Sequence, residues 1–179
     1  MKAVVVSLIA ALAVTASAAQ DPVPVVVDPI HRPFDQILDI YVRDGLVYYR
    51  ALKSERGSFD RYVQALADTS AETVNGWPPQ RQLAFWINAY NAFVLRTVID
   101  NYPIRGKAPE YPSVSIRQIP GAFERRTHRA GGRTLTLDAL EPRVRQPVAL
   151  GWREREPGAV LTDVLCELLD RIHDVSGGR

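Results

Sequence analysis

The run from Leu83 to Leu95 constrains this chain more than any other segment. Its core reads Phe85-Trp86-Ile87-Asn88-Ala89-Tyr90-Asn91-Ala92-Phe93, which places two neutral carboxamides in a stretch otherwise built for burial. Asn88 and Asn91 are three residues apart and share a helical face, while Trp86 and Tyr90, four apart, share the neighbouring one. Each carboxamide offers two donors and an acceptor, and a buried amide left unpaired costs roughly 1 to 3 kcal/mol. The amides therefore need partners. Backbone groups of an adjacent loop or strand are the ordinary choice, since most side-chain hydrogen bonds go to backbone or water. A polar pocket holding a ligand is the functional alternative.

The elements around this run follow from periodicity and chain breakers. Phe34, Ile37, Leu38 and Tyr41 recur on one helical face. Asp44-Gly45 ends that helix, and Leu46 to Tyr49 is expected to be extended. Phe59, Tyr62, Val63 and Leu66 mark the inner face of a second helix. Gly76 to Pro79 is a turn, and the Asn-bearing helix is expected from about Gln80 to Asn101, where Pro103 stops it. Its length makes it the central element. Ser113 to Ile116 is expected as a short strand, Gly131-Gly132 as a turn, and Arg133 to Leu137 as a half-buried strand. Asp138 with Glu141 three residues on has the form of a capped helix start. Pro142 should then make that helix fail early. An apolar stripe of Leu161, Leu165, Leu168, Leu169 and Ile172 predicts a terminal amphipathic helix. The fold class is thus α+β: a predominantly helical single domain with a few short strands packed on a central helix.

The amino terminus carries a compartment signal. Lys2 is followed by an apolar stretch from Ala3 to Val14 and by Ala16-Ser17-Ala18, the small-x-small form that a signal peptidase accepts. The apolar run falls short of the roughly 20 residues that cross a bilayer. Export is expected, with cleavage after Ala18 or Ala19, giving a periplasmic or extracellular protein with no membrane span. The expected organisation is a signal peptide over 1–18, a Pro- and Val-rich extended lead-in over 19–33, a domain over 34–141, and an Arg-rich tail over 142–179 that includes the terminal helix.

Composition excludes several classes. A formal charge of +2, or +1 without Lys2, is too small to argue for nucleic acid. Cys166 is the single cysteine, so there is no internal disulfide and no Cys-rich zinc site. Cys166 and His173 are separated by about 10 Å of helix, which rules out a direct thiolate–imidazole pair within it. His31 and His128 lack the spacing of a metal pair and read as isolated surface histidines. Asp35 and Asp39 read as a solvated face near a helix start. Arg125, Arg126, Arg129 and Arg133 form a local basic cluster. No cofactor and no metal site is expected.

Three blocks carry a family resemblance. Phe85-Trp86-Ile87-Asn88-Ala89-Tyr90-Asn91-Ala92 is similar to the signature of domain of unknown function 547. Tyr41 to Leu52 resembles that family's early Gly-x-Val-Asp-Tyr block, and Ala130 to Glu141 its Gly-x-x-Leu-Ser-Leu-Asp-Asp-Ile-Glu block. The resemblance spans Phe34 to Glu141, and it implies export for bacterial members but no established reaction. Two departures stand out. Tyr48 occupies the place of the usual Asp, and the pattern stops after Glu141, where Pro142 begins the tail. A truncation or frame shift of the coding sequence after Glu141 is the expectation from that stop. Two functional readings follow. One is an envelope binding or scaffold module for a peptide or protein partner, with Trp86, Asn88, Tyr90, Asn91 and Glu141 as the candidate polar site. The other is a hydrolase-like family whose catalytic half this chain lacks, which would leave the chain inactive.

Overall fold

The structure is a computed structural model in which residues 28–149 are described. The proposed signal peptide, most of the lead-in, the end of the tail, Cys166, His173 and the terminal amphipathic helix lie outside those residues. The described chain forms one α+β domain, mostly helical. Its elements are α1 (Arg32–Tyr41), β1 (Val42–Arg43), β2 (Leu46–Val47), α2 (Tyr49–Ser54), α3 (Gly57–Asp68), α4 (Ala71–Asn75), α5 (Pro79–Asn101), β3 (His128–Ala130), β4 (Arg133–Leu135) and α6 (Leu137–Ala149), with a 3-10 turn at Ile116–Gln118.

Helix α5 is the axis of the fold. Pro79 sits in its first turn, where a missing amide is harmless, and every residue from Phe85 to Leu95 is buried. A helix apolar on all sides must be enclosed on all sides. Helices α2 and α3 pack on it from one direction and α6 from another, while α1 lies against α3. The inner faces of the first helices are the ones that periodicity marks: Phe34 and Ile37 on α1, and Phe59, Tyr62, Val63 and Leu66 on α3. Phe34 and Tyr62 stack face to face, with ring centroids 4.6 Å apart. No helix among the described residues is long and apolar enough to cross a membrane.

The strands form two small antiparallel hairpins. In the first, Val42 pairs with Val47 across a turn in which Asp44 and Gly45 both take positive φ. In the second, His128 pairs with Leu135 and Ala130 with Arg133, around Gly131-Gly132. A Cβ on Gly131 would approach the Trp86 ring to 2.9 Å. That glycine therefore lets the hairpin lie directly on α5.

Three local expectations are corrected, and one short helix is added. Ser113 to Ile116 is not a strand but a turn running into the 3-10 segment, because Ser115 caps it: its hydroxyl accepts from the Arg117 amide. A short helix, α4, starts at Ser70, whose hydroxyl accepts from the Thr73 amide. Helix α6 begins two residues earlier than an Asp138 cap implies. Thr136 supplies the cap through its hydroxyl, which accepts from the Ala139 amide at 3.2 Å. The same helix also does not fail at Pro142 but runs on to Ala149. Pro142 removes one amide, yet Leu137, Leu140 and Val144 remain buried. That packing outweighs the loss, as tertiary context commonly does over local propensity.

The segment between α5 and the 3-10 turn is held by one side chain. Gln118 is buried; its Oε1 accepts from the Ala108 amide, and its Nε2 donates to the carbonyls of Ala108 and Tyr111. A Cβ on Gly106 would stand 2.2 Å from Gln118 Cβ. Gly106→Ala is therefore expected to expel Gln118 from its position. The overpacking alone should cost about 1 to 3 kcal/mol, and each lost hydrogen bond about 1 more. A urea midpoint equal to that of the wild type would refute this reading of the loop.

Candidate functional site

The seam between α5 and α6 brings together three of the residues singled out by sequence, Trp86, Tyr90 and Glu141. Leu137, Leu140 and Val144 recur at three- and four-residue spacing and bury one stripe of α6. Glu141 and Arg145 are one turn apart and form an ion pair. Tyr90 is buried, and its phenol pKa is raised well above the ordinary value. Burial is the main cause, followed by the negative charge of Glu141, with Arg145 acting in the opposite direction. The hydroxyl therefore stays protonated through the physiological range. Trp86, one turn before Tyr90, lies edge-on to Phe85, and the Arg143 guanidinium sits 5.6 Å from its ring centroid.

Two polar atoms of α5 are not tied to backbone among the described residues. Tyr90 Oη and Asn91 Nδ2 are buried and have no hydrogen-bond partner among the described residues. Asn88, like Asn91, is 7% exposed. Asn91 Nδ2 therefore does not pin neighbouring backbone. Gln118 does that work instead, and it was not singled out from the sequence. Buried polar groups are rarely left unpaired in folded proteins. The Tyr90 phenol, buried beside the Glu141–Arg145 ion pair, is a place where a guest or a water completes the bonding.

Neither histidine is the surface residue that its sequence context suggests. His31 is 5% exposed and His128 8%. His31 Nδ1 and Tyr62 Oη share a hydrogen bond of 2.8 Å. Next to this pair, the Arg81 guanidinium pairs with Asp28 and covers the Trp77 ring at 4.1 Å. Burial lowers the His31 pKa to about 4, with Asp28 opposing and Arg81 reinforcing. His128 is also held at about 4, chiefly by burial. The missed signals were local: His31 immediately precedes the apolar face of α1, and His128 alternates with the buried Ala130. Asp39, Arg125, Arg129 and Arg133 are exposed and Asp35 is partly so, as solvated charges should be. Among the described residues, no group of three His, Cys, Asp or Glu side chains could hold a metal ion.

Residues 74–156 match a family model described as Protein of unknown function, DUF547. The chain contains a DUF547 domain. The DUF547 match begins at Val74 in α4 and takes in the whole of α5, so the Asn-bearing motif and the seam both lie within it. It also crosses Glu141 and includes α6, which extends the DUF547 likeness beyond the point where the motif pattern alone ended. No curated protein and no solved structure gives a significant match to the chain.

Proposed function

We propose that this DUF547 domain is a binding module of the cell envelope that accepts a peptide or protein segment at the α5–α6 seam. The observation that carries the reading is the pair of buried, unpartnered polar atoms, Tyr90 Oη and Asn91 Nδ2, on the continuously buried stretch of α5. Peptide groups supply the matching chemistry, a carbonyl acceptor and an amide donor at fixed spacing. Trp86 and Arg143 add a flat apolar and cationic surface beside them. The amino-terminal pattern of Lys2, an apolar run and Ala16-Ser17-Ala18 supports the envelope as the setting. A hydrolase of the serine, threonine or cysteine type needs that nucleophile beside a base. Among the described residues neither buried histidine is hydrogen-bonded to a serine, threonine or cysteine: the His31 partner is Tyr62, and His128 Nε2 has none.

The test is a saturation-transfer NMR screen of the full chain against a mixture of short synthetic peptides. Wild type is expected to give transfer that Asn91→Ala and Asn88→Ala reduce about tenfold or more, the loss of one or two hydrogen bonds in a desolvated site. Their melting temperatures should stay close to that of the wild type. No transfer to wild type would sink the proposal, and unfolding of both variants would assign the amides a structural role instead. Recovery of the protein from the periplasmic or culture fraction, shortened after Ala18 or Ala19, checks the cellular half.

A further inference from the structure

The last turns of α5 carry a second polar cluster, separate from the Tyr90 seam. Phe93, Thr97 and Asn101 recur at four-residue intervals and line one ridge of the helix. The Thr97 hydroxyl donates to the Phe93 carbonyl at 2.8 Å, and Asn101 Nδ2 donates to the Thr97 carbonyl at 2.7 Å. Asn101 Oδ1 is thereby left as an acceptor, and Arg126 Nη2 donates to it at 3.1 Å. His128, two residues further along the chain, lies flat on the Phe93 ring, with centroids 4.5 Å apart and planes 11° from parallel. Both side chains thus reach the same ridge. Both also carry a buried nitrogen with no hydrogen-bond partner among the described residues, Arg126 Nε and His128 Nε2.

The local charges do not balance. Arg56 grips Asp60 through Nε at 2.8 Å and Nη2 at 3.0 Å, and Asp100 through Nη1 at 2.8 Å. Arg96 makes a looser second contact to Asp100, at 3.9 Å. Two guanidinium groups therefore answer two carboxylates. Arg126 is half-buried, and its hydrogen-bonded partner is the neutral amide of Asn101. Its charge has no carboxylate partner among the described residues. Burial keeps the adjacent His128 ring neutral near pH 7, with Arg96 and Arg126 pushing the same way and Asp100 opposing. A guanidinium withdrawn from water without a counter-charge is costly, and a planar fork of N–H donors suits an oxyanion. A neutral imidazole beside it can donate one further hydrogen bond.

We propose that Arg126 and His128, set against the Phe93–Asn101 ridge of α5, form a site for a small oxyanion, either a carboxylate or a phosphate. The probes are sodium phosphate and sodium acetate. Each is titrated separately into the full chain at pH 7, with ionic strength held constant by sodium chloride. The readout is the ring-nitrogen resonances of 15N-labelled histidine, with His128→Gln identifying the His128 signal. A saturable shift of the His128 signal with His31 unmoved is the expected result. Saturation by phosphate alone names a phosphate, by acetate alone a carboxylate, and by both the shared oxyanion chemistry. Arg126→Gln is expected to weaken binding about tenfold or more, the usual worth of a charge-assisted hydrogen bond. Arg126→Lys keeps the charge without the fork and should fall in between, and it carries the test if the Gln variant does not fold. Arg129→Gln, at an exposed neighbouring position, should bind as wild type does. The proposal fails if neither anion saturates, if Arg126→Gln binds as tightly as wild type, or if Arg129→Gln weakens binding equally.

Discussion

Acidification from pH 7 to pH 4 is expected to remove several kcal/mol of stability through two side chains, His31 and His128. Burial holds the pKa of each near 4 in the folded domain, against 6.5 for the free group. The unfolded chain therefore takes up protons first as the pH falls. Stability from this source is full above pH 6.5, declines through the interval down to about 4, and declines no further below it. A shift of that size corresponds to about 3 kcal/mol for each ring. Against a total of about 5 to 15 kcal/mol for a typical domain, this is enough to unfold a marginal one. Urea denaturation at a series of pH values checks the expectation. In His31→Gln or His128→Gln the slope between pH 4 and 6.5 should fall to about half, since each ring contributes one proton to the difference. Slopes indistinguishable from wild type in both variants would show that the rings are not held neutral.

Truncation of Phe85 is expected to be the most damaging single change in the core. The ring is fully buried, lies edge-on to Trp77 at 5.5 Å and to Trp86 at 5.1 Å, and tilts against His31 at 6.1 Å. It therefore joins the start of α1, the loop before α5 and the site-bearing turn of α5. Phe85→Ala should cost about 3 to 5 kcal/mol, the transfer free energy of the ring plus the cavity left among stiff aromatic neighbours. In a thermal melt that is a drop of about 10 °C or more. Arg129→Ala, at an exposed position, should stay within about 0.5 kcal/mol of wild type. A Phe85→Ala loss as small as that of Arg129→Ala would mean that the aromatic cluster is not cooperative with the rest of the core.

The helical part of the fold was legible wherever burial was one-sided or total. The apolar face of α3 and the extent of α5 could both be read directly from residue spacing. Legibility failed where a single hydroxyl or a distant helix decided the outcome. Ser70, Ser115 and Thr136 each start a short or terminal element by accepting one backbone amide, and such residues look the same in any polar loop. The passage of α6 through Pro142 depends on packing against α5, which no window around the proline contains. On α5, the sequence singled out Tyr90 and Asn91 but not that Tyr90 Oη and Asn91 Nδ2 would be buried without a hydrogen-bond partner among the described residues. The histidines were misread because the local cues beside them are short, while the rings packed on them, Tyr62, Phe85 and Phe93, are remote in the chain.

The enclosure of α5 also bears on how its sequence can vary. An ordinary surface helix keeps an outward face on which residues can drift with little effect on stability, so its record over time is a stripe of fixed positions among free ones. From Phe85 to Leu95 there is no outward face. Almost any single exchange there changes a packed volume or strands a polar atom, and compensation would require several neighbours to change together. That stretch is accordingly a poor place to engineer. New properties are better sought at exposed positions of the hairpin beside it, such as Arg129 and Arg133, where mutational tolerance is restored.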